Sequence, residues 1–181
     1  MKLIGPLMWE HRLIEKMARL FVKETGRSRE QKHVNAGFVQ AAVDFFRTYA
    51  DRTHHGKEED ILFRELAGKR LTPEHARIMD ELMEEHVFAR KTVSRLSDAN
   101  ERYMKGQEAA REEINYCLSE LADLYPRHIR KEDKQFFYPC MSYFSQEEQE
   151  TLLRKFYEFD RNMIHEKYRK VVEQYELDEL D

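Results

Sequence analysis

Two stretches of the chain, HHGKEEDILF over residues 54–63 and HIRKEDKQFF over residues 128–137, share one pattern. Both can be written HxxKE(E/D)xxxF, with His, Lys, Glu, an acidic residue and Phe at matching positions. Residues four apart on an α-helix lie on the same side of it, so each His and its following Glu can present two ligands together. The repeat therefore predicts two equivalent helical units, each carrying a His–Glu pair that can supply two metal ligands.

The repeat extends upstream to a second shared motif. MWEH over residues 8–11 matches MEEH over residues 83–86, and the His of each motif precedes the repeated HxxKE by a similar distance. Each half of the chain thus carries MxEH on one helix and HxxKE on the next. This order indicates two helix hairpins related by an approximate two-fold axis.

Composition and apolar spacing predict an all-α fold. The chain has only 6 Gly and 4 Pro among 181 residues, and apolar residues recur with helical period in five segments. We predict an up-down-up-down four-helix bundle with an additional C-terminal fifth helix, in a single domain over residues 1–181 with a minimal bundle at about 6–140. The predicted helices run from Pro6 to Gly26, from Gln31 to Gly68, from the Thr72 cap to Met104, from Gln107 to Tyr138 with a kink at Pro126 and a stop at Pro139, and over about 146–176 from a Ser145–Glu148 capping box through Val171 and Tyr175.

Charge and cysteine content exclude several classes of function. The net charge is −4 with no basic block, so we expect no nucleic-acid partner. The sequence shows neither a signal peptide nor an apolar run of about 20 residues, which predicts a cytoplasmic protein without a membrane partner. Cys117 and Cys140 would lie about 34 Å apart on one continuous helix, so no internal disulfide is expected.

The repeated residues predict a metal site inside the bundle. The helices of an antiparallel bundle can bring four imidazoles and two carboxylates to one level, and such a set suits iron first, with manganese or zinc as alternatives. Two carboxylates could bridge two ions about 3.5 to 4 Å apart. Without metal, these groups would be costly to bury unless they pair fully. The predicted ligands are His11, His54, Glu58, His86, His128 and Glu132.

This constellation resembles the hemerythrin-like family, also called the HHE cation-binding domain. The resemblance covers about residues 6–140 and rests on EHRLIE, HHGKEEDILF, EEHVFARKTV and HIRKED followed by FFYP. It implies a four-helix bundle with a non-haem di-iron centre that binds or reacts with a small diatomic ligand, such as O2 or NO, or with peroxide. A sensing, scavenging or storage role would follow from the resemblance.

Two departures from the oxygen-carrying members of that family stand out. Those members place two His four apart on the third helix, whereas Leu82 stands four before His86 here. One imidazole is therefore absent, which puts reversible oxygen carriage in doubt and leaves an open position or a substitute ligand, such as Glu15 or Tyr125. The carriers also place the last carboxylate at the position of Asp133, while the internal repeat favours Glu132.

Another alternative lies within the first motif. His55 and Glu59 are also four apart and could replace His54 and Glu58 as the ligand pair. The repeat aligns His55 with Ile129, which favours His54 and Glu58 and leaves Glu59 and Asp133 to support the ligands or to face solvent.

Three functional hypotheses follow. The first is a di-iron protein that binds or senses O2, peroxide or NO, or handles iron. The second is an enzyme that reduces peroxide or NO with electrons from an external donor, because the chain has no flavin, nicotinamide or haem motif. The third is a metal-free helical interaction module whose fifth helix docks a partner. The oligomeric state stays open, with a homodimer as one option.

Overall fold

The computed structural model describes residues 2–178, and the side chains of residues 2–163. This part of the chain is helical and contains no strand, which confirms the predicted all-α class. The α-helices are α1 (Gly5–Gln31), α2 (Ala36–Phe45), α3 (Arg64–Ala67), α4 (Pro73–Met104), α5 (Ala110–Lys131), α6 (Phe137–Cys140) and α7 (Gln146–Asp178). Val171 and Tyr175, predicted for the apolar stripe of the last helix, lie outside the residues with described side chains.

The first helix runs past its predicted end. Gly26 lies inside α1, which continues to Gln31 and ends at Lys32 in the left-handed region with φ 52°. A glycine inside a helix costs only about 1 kcal/mol, and the neighbouring buried side chains Glu24, Thr25 and Ser28 keep this turn packed. The second helix consequently begins after Asn35 rather than near residue 31, with the Asn35 side chain accepting a hydrogen bond from the Phe38 N–H.

The predicted second and fourth helices are not uniform α-helices. Their HxxKE motifs lie in or beside three π-helical segments, Phe46–His55, Glu58–Phe63 and Glu132–Phe136. The Gly56 N–H donates to the Asp51 carbonyl and the Phe137 N–H donates to the Glu132 carbonyl, both five residues back. Apolar spacing does not distinguish this wider turn from an α-helix, and π turns are frequent at functional sites.

The predicted helix boundaries have mixed outcomes. The Thr72 cap, the end at Gly68 and the Ser145–Glu148 capping box are confirmed, since the Ser145 Oγ accepts from the Glu148 N–H at 3.2 Å and the Glu148 carboxylate accepts from the Ser145 N–H at 2.7 Å. Pro139 does not end its helix, because α6 continues to Cys140. A proline in the first turn of a short helix removes no required hydrogen bond.

The layer of predicted ligand residues lies between two apolar clusters. The four long helical runs before residue 145 each contribute to both clusters, and on the first three of them a candidate ligand His stands between the two contributions. On α1, for example, Leu7 belongs to one cluster and Ile14 to the other, with His11 between them. On α4, Leu82 and Ala89 flank His86 in the same way. The apolar packing on both sides therefore fixes the height of the polar layer in the bundle.

Three further features complete the fold. Helix α5 packs against both α1 and α4, and α7 packs against the first two π-helical segments. Cys117 and Cys140 are both free and buried, as predicted. Within the described residues, no helix is both long and apolar enough to cross a membrane.

Candidate metal centre

The structure brings all six predicted ligands, and one further histidine, into the core as two overlapping groups. In each group the ligand atoms lie within 4.8 Å of one another, every member is buried, and Glu58 belongs to both. The first group is His11, His54, Glu58 and Glu132, and the second is His55, Glu58, His86 and His128.

Each glutamate contacts one histidine of its own helix and one from another helix. Glu58 lies 3.2 Å from His54 Nε2 and 3.4 Å from His86 Nε2. Glu132 lies 3.3 Å from His128 Nε2 and 3.1 Å from His11 Nε2. The two halves of the sequence repeat therefore interlock, and each half completes the site of the other.

The outer nitrogen of each of these four histidines faces a carboxylate. The Glu of each MxEH motif contacts the histidine of the HxxKE motif in the same half. The acidic residue that follows the Glu of each HxxKE motif contacts the MxEH histidine of the other half. Such contacts hold the outer nitrogen as a donor and direct Nε2 inward, where it can bind a cation after it loses its proton. The Nδ1 contacts are His54–Glu10 at 2.9 Å, His128–Glu85 at 2.8 Å, His11–Asp133 at 2.8 Å and His86–Glu59 at 2.6 Å.

His55 is the residue that the sequence comparison set aside. The sequence analysis kept His54 and gave His55 as its alternative, whereas in the structure both rings are buried and belong to different groups. Their π-helical segment has more residues per turn than an α-helix, so adjacent side chains diverge less. His55 stacks on His86 with ring centroids 3.8 Å apart. It supplies a fifth imidazole, whereas Leu82, at the position where oxygen carriers have one, is buried in the apolar core.

The repeated lysine also contacts the polar layer, a feature that the sequence analysis did not predict. Lys57 pairs with Glu10, the carboxylate that contacts His54, and Lys131 Nζ lies 2.7 Å from Glu85, which contacts His128. Each lysine thus holds the glutamate that orients the histidine three residues before it. The conserved spacing HxxK within the repeat was the signal that could have found this arrangement.

The electrostatics of the polar layer favour charged groups despite burial. Burial disfavours a protonated imidazole, but the carboxylates of Glu58 and Glu10 raise the pKa of His54 to about 10. Glu132 and Glu85 raise the pKa of His128 to about 10 in the same way. Burial would also raise the pKa of Glu132, yet His128 and His11 hold it well below its usual range.

His55 shows the opposite behaviour. Burial lowers its pKa well below the usual range, and the neighbouring imidazoles of His86 and His54 lower it further. Its Nδ1 lies 3.4 Å from Asp51 without a hydrogen bond of acceptable geometry. A neutral imidazole is the form that binds a metal, and the surroundings of His55 favour that form.

The innermost carboxylates supply a direct test of whether these residues fit a cation. Glu58 and Glu132 are fully buried, and none of their four oxygens makes a hydrogen bond of acceptable geometry. Buried ionised oxygens without donors are strongly unfavourable, and a divalent cation would satisfy them. The donor set of imidazole nitrogens and carboxylate oxygens therefore fits a cation of the iron, manganese or zinc class.

The two substitute ligands considered from the sequence lie outside the groups. Glu15 accepts a hydrogen bond from Arg12 at 3.2 Å on the surface of α1 and belongs to neither group. Tyr125 packs on Phe46 with centroids 4.6 Å apart. Together with His55 and Arg90 it lines a cavity of about 230 Å³ beside the second group.

Comparison with known protein families agrees with this geometry. The family model described as the hemerythrin HHE cation-binding domain matches residues 3–139. The chain belongs to this family. No curated protein and no solved structure shows a significant match to the chain. The HHE match ends before α7, so the last helix is an addition to the matched domain.

Proposed function

We propose that this HHE-domain protein holds two iron ions and uses them to bind or sense O2, peroxide or NO, or to handle iron. His11, His54, Glu58 and Glu132 would hold one ion, and His55, His86 and His128 would hold the other together with Glu58. The observation that carries the proposal is the pair of overlapping ligand groups around carboxylate oxygens that have no hydrogen-bond donors.

The protein's own residues would set the properties of the centre. Iron, when bound, supplies one-electron redox chemistry and coordination positions for a small ligand. The four outer carboxylates orient the imidazoles, and the apolar clusters above and below the layer restrict access of water. The cavity beside His55 would admit a molecule of the size of peroxide or NO to the second group.

That cavity also supports a second candidate, an enzyme that reduces peroxide or NO. An accessible centre favours turnover over storage, and the electrons would come from an external donor. Steady-state consumption of peroxide with a reductant would distinguish turnover from a single binding event. A metal-free interaction module has less support, because it leaves the Glu58 and Glu132 oxygens without a hydrogen bond of acceptable geometry.

The remaining expectations are part of the same proposal. The four long helical runs would follow up-down-up-down topology with α7 as the additional helix, in one domain over residues 1–181. The protein would act in the cytoplasm without nucleic-acid or membrane partners, with a homodimer as one assembly. Manganese or zinc are the alternative ions.

The experiment that tests the proposal is measurement of metal per chain by elemental analysis after anaerobic reconstitution with Fe²⁺. An absorption spectrum before and after exposure to air should accompany it. We expect about two irons per chain and new charge-transfer bands after oxidation. One zinc per chain, or no metal after reconstitution, would contradict the di-iron assignment.

A further inference from the structure

The two repeated lysines obtain their second carboxylate from different places. Lys131 lies 2.7 Å from Glu85 and 3.1 Å from Glu81, which are four residues apart on α4. Lys57 pairs with Glu10 of α1, but the residue four before Glu10 is Pro6, which has no carboxylate. Its second partner is Asp160 of α7, at 2.6 Å.

Helix α7 packs closely against Lys57 and the residue before it. Gly56 lies against Phe159 of α7, and a Cβ at this glycine would come within 2.6 Å of the Phe159 ring. The counterpart of Gly56 in the second half is Arg130, which is exposed. The lysine side chains differ accordingly, since that of Lys57 is 0% exposed and that of Lys131 is 20% exposed.

We propose that Asp160 is a positioning residue for the first cation group and that α7 is thereby part of the metal centre. The connection runs from Asp160 through Lys57 to Glu10, and from Glu10 to the Nδ1 of His54. Asp160 lies beyond residues 3–139 that match the HHE family, so it is specific to the additional helix. This inference rests on the proposed cation binding, which provides its readout.

The expected consequence is a selective loss of affinity. Without the Asp160 carboxylate, the buried Lys57 ammonium retains Glu10 alone among its described carboxylate partners, and it holds that glutamate less firmly against His54. Loss of a group that contacts a ligand directly costs about 10- to 100-fold in metal affinity, and Asp160 acts through Lys57 and Glu10, so we expect a loss of about 10-fold. The second group keeps Glu81 and Glu85 on Lys131 and should bind as before.

The first test compares Asp160→Asn with the unaltered protein by Co²⁺ titration and by release of Co²⁺ to a chelator. We expect one of two cations to bind about 10-fold more weakly in the variant and the other to be unchanged. Glu65→Gln is the matched control. Glu65 also pairs with α7, through Lys155 at 2.8 Å, but this pair does not contact the ligands, so the substitution should not change cation binding. Glu81→Gln should weaken the other cation, and the double variant with Asp160→Asn should weaken both.

A rescue variant separates positioning from general damage to the fold. Pro6, Glu10 and Asp160 line one surface cavity, so a glutamate at residue 6 has room to extend toward Lys57. Pro6→Glu in the Asp160→Asn background copies the Glu81–Glu85 arrangement of the second half, and it should restore the weakened cation. Helical circular dichroism of each variant verifies folding.

The outcomes distinguish this inference from the proposed function. If the unaltered protein loads two Co²⁺ and Asp160→Asn holds both equally well, the inference is overturned and the proposed function stands. If Asp160→Asn weakens both cations equally, or if Pro6→Glu restores nothing, Asp160 acts only on the fold and the inference is likewise overturned. An unaltered protein that binds no Co²⁺ overturns both.

Discussion

The two halves of the repeat share the histidine, lysine and glutamate positions of the MxEH and HxxKE motifs and differ where their surroundings differ. Both halves supply a histidine–glutamate pair, an outer carboxylate for each imidazole and a lysine behind one of those carboxylates. They differ at His55 against Ile129 and at Gly56 against Arg130. The first difference adds a fifth imidazole, and the second makes room for α7. The positions at which the two halves differ therefore mark structural features that only one half has.

The largest effect is expected from Glu58→Ala, which removes the residue common to both groups. Bound metal should fall from about two ions to fewer than one per chain. Because a bound cation stabilises only the folded state, the increase in Tm caused by metal should disappear as well. Elemental analysis and thermal unfolding with and without Fe²⁺ measure both effects.

Glu15→Ala is the control for that experiment. Glu15 lies four residues after His11 but pairs with Arg12 on the surface, so this variant should keep its full metal content. Its stability should change by no more than about 0.5 kcal/mol. Full metal content in Glu58→Ala, or loss of metal in Glu15→Ala, would show that the groups are wrongly assigned.

His55→Ile makes the first half resemble the second and should cost one cation. The second group then retains His86, His128 and Glu58, which leaves one imidazole fewer. The metal-free protein should gain about 1 kcal/mol in stability, because a buried imidazole nitrogen without a hydrogen bond is removed. Metal content and urea unfolding of the metal-free form measure the two opposite changes.

His33→Gln is a matched substitution far from the groups, since His33 contacts the Tyr103 hydroxyl at 3.1 Å. It should retain both cations. A His55→Ile variant that binds two cations with unchanged affinity would remove His55 from the centre.

The sequence was sufficient for the features that follow from spacing. Residues four apart share a helix face, so His54 with Glu58 and His128 with Glu132 could be predicted as pairs, and the structure brings them together. The all-α class and the Ser145 cap follow from local chemistry in the same way. The predicted assignment of these residues as ligands awaits the metal measurements.

Features that depend on the helix type or on distant contacts could not be predicted. His55 enters the core because its segment is π-helical, and apolar spacing does not reveal that wider turn. Gly26 was expected to end α1, but the cost of a glycine is small compared with the burial of the side chains around it. Asp160 is 103 residues from Lys57, and no local pattern joins them.

Loading the metal should release protons equally from the two halves. In the metal-free protein the pKa of His54 and of His128 is raised to about 10, so both rings are protonated at pH 8 and must lose a proton to bind a cation. At least about two protons per chain should appear when Co²⁺ is added in weak buffer with an indicator dye. Release of fewer than one proton would contradict this account.

The same shifts give the sign of the pH dependence. A raised folded-state pKa stabilises the metal-free protein fully below the ordinary histidine value of about 6.5, and this contribution is lost as the pH rises toward about 10. The Tm of the metal-free protein should therefore fall over this range, while the affinity for Co²⁺ rises. Thermal unfolding and Co²⁺ titration at several pH values test these opposite trends.

The smallest effect on metal binding is expected where α7 meets the repeat. Gly56→Ala should destabilise the protein by about 1 to 3 kcal/mol, partly offset by the helix preference of alanine, because the new Cβ would lie 2.6 Å from the Phe159 ring. Arg130→Ala at the equivalent, exposed position should change stability by no more than about 0.5 kcal/mol. Urea unfolding measures both, and equal effects would mean that α7 does not distinguish the halves. If Gly56→Ala also weakens one cation, the contact with α7 is transmitted to the ligands through the neighbouring Lys57.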